Sequence, residues 1–209
     1  MKRVLCIASF AILMLLSIAP PVRAQDPPKA LIFIRGGSVD WEYMLNREVG
    51  VMYRVLQEAG IEVDVATASG DPISVGSVNY TPDLKLSDAD LSEYATVILP
   101  CMAANRYVDP GALRMVGEAA AAGILVAAQY NSVYTLAEAG LLKDRKYAHA
   151  AEIDVDRFPG FEGAEFAGSS IVRDGNVITS GICPYMARQR GVPDQTEEFM
   201  QAVIEVIKG

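Results

Sequence analysis

One histidine, His149, and three cysteines in 209 residues close off several chemistries at once. A lone imidazole cannot build a multi-histidine metal site. Cys6 lies in an apolar N-terminal run, which leaves Cys101 and Cys183. That is too few for a disulfide scaffold, and the spacing is too wide for a local zinc knuckle. Internal repeats and low-complexity linkers are also missing, so the chain reads as a single compact domain. No metal and no cofactor is expected. Positive charge is scarce as well, with 18 Lys and Arg against 26 Asp and Glu.

The first residues carry Lys2 and Arg3, an apolar run from Val4 to Ile18, and Val22-Arg23-Ala24, a small-x-small pattern. This reads as a secretory signal peptide over residues 1–24, cleaved near Ala24, with the domain proper over 25–209. The apolar run is shorter than the roughly 20 residues of a bilayer span, so stable membrane insertion is not expected. The expected location is periplasmic or secreted. Cleavage removes three positive charges and no negative ones, which turns a formal charge of −8 into −11. An acidic surface of that kind repels phosphate backbones, so nucleic acid is not an expected partner.

Along the domain, short apolar runs alternate with helical patterns. Ala30 to Ile34, Ile61 to Ala66, Thr96 to Leu99 and Ile124 to Ala128 read as strands. Leu45 to Ala59 and Ser132 to Ala139 read as helices stopped by Gly60 and Gly140. Asp109-Pro110 is a helix start, with Leu113, Val116 and Ala120 expected on the inner face. Asp71 to Asp90 is polar and turn-rich, an excursion or hairpin off the sheet. Ser169 to Ser180 reads as a hairpin turning at Asp174-Gly175-Asn176. The last helix repeats Phe199, Ala202, Val203, Val206 and Ile207 at core spacing. The pattern implies an α/β fold: a doubly wound, mainly parallel sheet sandwiched by helices, with ligands gathering at the carboxyl ends of the strands.

Several residues fall at those ends. Tyr130 and Asn131 sit where a buried strand turns directly into a helix, a corner that often forces a backbone conformation costing roughly 1–3 kcal/mol. A tyrosine with a pKa near 10 is a poor nucleophile at neutral pH, although its hydroxyl can relay a proton. Its ring can equally well plug a pocket. Asn131 or Ser132 is expected to cap the helix that follows. Glu48 shares a helical face with Met52, Val55, Leu56 and Ala59, which points a carboxylate at apolar surroundings; the alternative is a simple helix-dipole role. Cys101 and Cys183 each follow a strand end, and three states stay open for them: a disulfide across the site, a reactive pocket thiol, or two inert small hydrophobes. His149, after a charged turn, reads as a surface or loop histidine.

Taken together these blocks resemble the ThiJ/PfpI family, related to class I glutamine-amidotransferase domains. The resemblance covers the whole domain. It is carried by the first strand with Gly36, Glu48 through Gly60, Val97 to Pro100, the Leu-Ala-Glu-Ala-Gly-Leu-Leu ending at Leu142, the hairpin VRDGNVITS, and the closing helix. It implies a flavodoxin-like fold. Matched residue by residue, the family's nucleophilic cysteine falls on Tyr130, its frequent histidine on Asn131 and the next glycine on Ser132. The family's acidic partner falls on Glu48. Where relatives carry Pro-Gly-Gly, this chain has Pro100-Cys101-Met102, and the loop 37–47 is longer than in compact members.

Because these departures cluster, the family's cysteine-dependent activities (peptidase, glyoxalase or deglycase-like, isonitrile hydratase) are not expected. The leading expectation is an exported pseudoenzyme that binds an unidentified small molecule. Glu48, Tyr130 and Asn131 are its candidate active residues, and Gly36, Gly37, Cys101, Met102, Ser132, Cys183 and Pro184 line the pocket. The rival is a hydrolase or lyase acting on a small carbonyl or amide compound through Glu48, Tyr130 and Cys101. A stress-related holdase, working as a homodimer, is the third reading that the resemblance allows.

Overall fold

The computed structural model describes residues 26–209. The expected signal peptide lies outside them. Among the described residues no helix is long and apolar enough to cross a membrane.

The chain opens with β1 (Lys29–Ile34), α1 (Trp41–Met44), a π-helical turn (Leu45–Val49), α2 (Gly50–Glu58) and β2 (Glu62–Thr67). The expected excursion follows as a hairpin, β3 (Ile73–Val75) and β4 (Val78–Tyr80), before the short β5 (Leu84–Lys85) and β6 (Thr96–Leu99). Next come α3 (Pro110–Ala121), β7 (Leu125–Gln129), a 3-10 turn (Tyr130–Ser132) and α4 (Val133–Glu138). A small pair, β8 (Lys146–Tyr147) and β9 (Glu165–Phe166), precedes the hairpin β10 (Val172–Asp174) and β11 (Val177–Ser180), and α5 (Pro184–Arg190) and α6 (Thr196–Lys208) close the chain.

Seven strands form one sheet in the order β10-β11-β7-β6-β1-β2-β5. Every pairing in it is parallel except the β10–β11 hairpin, which turns at Gly175 with φ +61°. Residues of β1 alternate between two cores. Ala30, Ile32 and Ile34 pack with Met52, Val55 and Leu56 of α2 and Phe199 and Val203 of α6. Leu31 and Phe33 face Met115, Val116 and Ala119 of α3 and Val133 and Leu136 of α4. Each large side chain buried this way contributes roughly 1.5–3 kcal/mol, which is what commits the continuous apolar run of β1 to the middle of a two-sided sandwich.

Two details differ from expectation. The helix before β2 begins at Trp41 rather than Leu45, since part of the long loop is itself helical and joins through the π turn. On α3 the buried residues are Ala112, Met115, Val116 and Ala119, while Leu113 and Ala120 are only half-buried. The helix is rotated by about one residue because its alanine-rich end gives several stripes nearly equal hydrophobicity, and the longer Met115 side chain fills the space over the sheet. Asp109 caps it as expected, accepting from Gly111 N and Ala112 N.

Chain order reverses at β1, which lies between β2 and β6. The segments leaving the carboxyl ends of β1, β6, β7 and β11 begin with Arg35, Pro100-Cys101, Tyr130 and Gly181 to Cys183. This is the crevice where an open α/β sheet offers a site.

Candidate functional site

Glu48 is the keystone of the crevice. It sits on the π turn, fully buried, where the extra residue per turn rotates its side chain inward toward β6. Its Oε1 accepts the Cys101 N–H at 2.9 Å and its Oε2 the Met102 N–H at 2.7 Å. Those donors belong to a strained segment, because Met102 and Ala103 both have left-handed backbones, φ 56° and 47°. A non-glycine residue there costs of order 1–3 kcal/mol, so the carboxylate holds a turn that the chain alone would avoid. Burial is the main reason the Glu48 pKa lies well above the ordinary carboxylate range; charge on Cys101 raises it further, and the two N–H bonds and Arg35 pull the other way. With α1 in front of it, Glu48 does not occupy a helix start, and the dipole reading does not apply.

Tyr130 takes the strand-to-helix corner with φ 47°, the conformation that this bend requires. Its hydroxyl is not among the partners of Glu48, and its ring lies flat on the imidazole of His149, centroids 4.6 Å apart and planes 7° from parallel. Burial, then the neighbouring Cys101 and Cys183 charges, push its pKa up. His149 is therefore not a surface residue. It is 4% exposed, with Tyr134 edge-on at 5.9 Å. The segment 148–150 is drawn inside because the Ala148 N–H bonds Thr179 Oγ1 on β11 and the His149 N–H bonds the Gly168 carbonyl, neither of which the sequence announces. Nδ1 lies 2.9 Å from the Ala151 carbonyl, which can only accept. Nδ1 thus carries the proton, and Nε2 is a buried acceptor without a partner among the described residues. Burial lowers the His149 pKa to about 4, so the ring is neutral at pH 7.

Asn131 and Ser132 do not cap α4 with their side chains. Asn131 Nδ2 donates to the Ala104 carbonyl at 2.8 Å, and Ser132 Oγ to the Pro100 carbonyl at 2.6 Å. Both tie the corner to the loop after β6 and give partners to carbonyls that lie outside the named strands. Arg35, which sequence reasoning passed over, reaches the same junction: Nη1 donates to the Asn131 carbonyl, Nη2 to that of Asn105, and Nε, also buried, has no partner among the described residues. A cation placed immediately after a buried strand was the available signal. Gly36 and Gly37 are exposed with open space around them, whereas Pro184 is buried at the start of α5 and receives Tyr43 Oη on its carbonyl.

Cys101 and Cys183 are both fully buried and both free thiols, so of the three states considered the disulfide is not the one in this structure. A carboxylate oxygen of Glu48 and the two sulfurs lie within 4.8 Å of one another. This is a donor set that a thiophilic ion could use, although both Glu48 oxygens already hold backbone N–H groups. Burial alone would raise the Cys101 pKa. Hydrogen bonds from the Cys183 thiol and from the Asn131 and Ala103 N–H groups, with the charge of Arg35, outweigh it and leave Cys101 below the ordinary thiol value. Cys183 moves the opposite way, through burial and the adjoining Cys101 sulfur.

Comparison with known proteins agrees with this architecture. The family model described as DJ-1/PfpI family matches residues 28–205. A ThiJ/PfpI domain protein from Brachyspira murdochii superposes with a TM-score of 0.65 at 17% identity, covering 88% of this chain and 98% of its own. Drosophila melanogaster DJ-1beta superposes with a TM-score of 0.61 at 20% identity, covering 87% and 90%. A two-domain protein from Anabaena variabilis, with DJ-1/ThiJ/PfpI-like and ferritin-like domains, is 25% identical with a TM-score of 0.61, covering 84% of this chain and 54% of that one. No curated protein matches the chain. The match over nearly all of the described residues, on this sheet order, shows that the chain belongs to the DJ-1/PfpI family.

Proposed function

We propose that this is an exported DJ-1/PfpI-family protein in which the corner residue is not a nucleophile and the crevice binds a small molecule without the cysteine-dependent chemistry that the family resemblance implies. One observation carries the reading: the Tyr130 ring is stacked on a neutral His149 while both oxygens of Glu48 are taken by backbone N–H groups. Nucleophile, base and acid do not form a hydrogen-bonded relay at the corner, which general acid–base or nucleophilic catalysis would need.

The test is turnover of a small dicarbonyl such as methylglyoxal by the wild type and by Tyr130→Phe and Cys101→Ser. The wild type is expected to be inactive. Activity that survives Cys101→Ser and disappears in Tyr130→Phe defeats the proposal and makes Tyr130 catalytic. The rival enzyme reading draws its support from Cys101, a buried thiol whose sulfur lies within 4.8 Å of the Cys183 sulfur and a Glu48 oxygen and whose pKa is below the ordinary thiol value. Wild-type activity that Cys101→Ser abolishes decides for it. Export is tested separately, by N-terminal sequencing of the protein recovered from outside the cytoplasm, with Gln25 expected first.

A further inference from the structure

A single histidine closes off histidine-built metal sites, but it says nothing against sulfur. Cys101 follows β6 and Cys183 follows β11, with β7 between those strands, and the sheet order brings both to one place. The two sulfurs and a Glu48 oxygen lie within 4.8 Å of one another. Both cysteines are fully buried, and neither is bonded to another sulfur. Among the described residues no other three histidine, cysteine or acidic side chains converge in this way.

The backbone that presents each sulfur is pinned. The Cys101 and Met102 N–H groups both bond Glu48, and their loop is tied to the corner through Ser132 Oγ on the Pro100 carbonyl and Asn131 Nδ2 on that of Ala104. At the other thiol the Ile182 carbonyl accepts from Gln129 Nε2 at 3.1 Å and the Ile182 N–H bonds Gln195 Oε1 at 3.2 Å. The Cys183 carbonyl accepts the Ala187 N–H at 2.9 Å. Sulfurs fixed in this way are preorganised as ligands, which lowers the ordering cost of binding an ion.

The chemistry of the donors selects the occupant. Paired thiolates favour a soft ion. Zinc takes four ligands, whereas this set stops at three, both Glu48 oxygens already accept backbone N–H groups, and neither sulfur is open to a water. Copper(I) is satisfied by two sulfurs. It takes the place of thiol hydrogens between atoms that are already close, so it needs no water-sized cavity. Two thiolates around one copper(I) leave a single negative charge. Arg35, 5% exposed in the same crevice and with its Nε–H unpartnered among the described residues, supplies the positive charge that a buried anion requires.

We propose that Cys101 and Cys183 are the two ligands of a buried copper(I) ion, with Glu48 as a positioning residue that holds Cys101 through its backbone N–H. Binding forms two Cu–S bonds, breaks two S–H bonds and releases two protons. Copper and sulfur keep their oxidation states, so no electron donor or acceptor takes part. Because neither sulfur is exposed, the ion enters as the chain folds and is retained afterwards. The site is independent of what the crevice binds and of whether Tyr130 acts.

The test uses the full chain carrying Cys6→Ala, so that Cys101 and Cys183 are its only thiols. It is refolded under nitrogen with copper(I) and, in parallel, purified from cells grown with added copper. Metal analysis should find one copper per chain, and X-ray absorption should show copper(I) with two sulfur neighbours. A copper(I) chelator such as bathocuproine disulfonate should strip the native protein at least about tenfold more slowly than the urea-unfolded chain. Cys101→Ser and Cys183→Ser, or the alanine variants where serine is not tolerated, should each weaken copper(I) binding at least about 100-fold. Glu48→Gln should weaken it about tenfold with the two-sulfur signature unchanged. Copper well below one per chain in both preparations, zinc held in preference to copper, nitrogen ligands on the copper, stripping as fast from the native as from the unfolded chain, or undiminished affinity in either cysteine variant each overturns the proposal.

Discussion

Replacing Glu48 by alanine tests the centre of the site directly. The carboxylate accepts two fully buried backbone N–H groups, on Cys101 and Met102, in a turn where Met102 and Ala103 are held at positive φ. Each N–H left without an acceptor costs about 1–3 kcal/mol, and the vacated volume adds a cavity term. Relief of the carboxyl's own desolvation offsets part of this. A net loss of about 3 kcal/mol is expected, and for a domain of this size that lowers Tm by about 6–12 °C. Glu48→Gln, which keeps the volume and one acceptor oxygen, should lose about half as much. The proton linkage gives a second readout. The folded pKa of Glu48 is raised, so its contribution is complete below the ordinary carboxylate value of 4.5 and is lost as pH rises toward the folded value. The stability difference between wild type and Glu48→Gln, measured by urea unfolding across pH, should therefore be largest near pH 4 and shrink upward. An alanine variant melting within about 2 °C of wild type would show that water or backbone rearrangement supplies the N–H partners, and the keystone role would be refuted.

Three further outcomes follow from the same geometry. His149, with its folded pKa lowered to about 4 from 6.5, stabilises the fold fully above pH 6.5 and loses about 3 kcal/mol as pH falls from 6.5 to 4; His149→Phe should flatten that part of the urea-unfolding profile. Gly181→Ala would place a Cβ 2.7 Å from Ser169 Cα and O and 2.9 Å from the His149 carbonyl carbon, all of them backbone atoms. It should cost about 3 kcal/mol by thermal unfolding, and an unchanged Tm would mean that the loop holding His149 yields easily. The Tyr130 hydroxyl makes no hydrogen bond among the described residues while its ring stacks on His149, so Tyr130→Phe should change stability by less than about 0.5 kcal/mol and Tyr130→Ala by about 1–2 kcal/mol. Comparable losses in both would point to an interaction of the hydroxyl.

Much of the fold was legible in the chain because its strands are short continuous apolar runs and its punctuation is strong. Asp109-Pro110 starts α3 and Gly175 turns the β10–β11 hairpin as their chemistry requires. Glu48 was legible in part: core spacing with Met52, Val55 and Leu56 pointed it inward but left a helix-dipole role open, and the structure buries it. What it bonds was not legible. Its partners are backbone N–H groups of a loop more than fifty residues away, and backbone donors leave no mark in a sequence.

Local pattern by itself determined the strands, most of the helices and the corner at Tyr130, because each depends on neighbours within a few positions. Tertiary structure alone decided that His149 is buried under Tyr130, that Asn131 and Ser132 brace a loop rather than cap a helix, and that Arg35 joins the crevice. It also brought two thiols, 82 residues apart in the chain, beside one carboxylate. The physical reason is common to all of these: parallel strands carry distant segments to the same edge of the sheet, and which side chains meet there is set by sheet order and loop path.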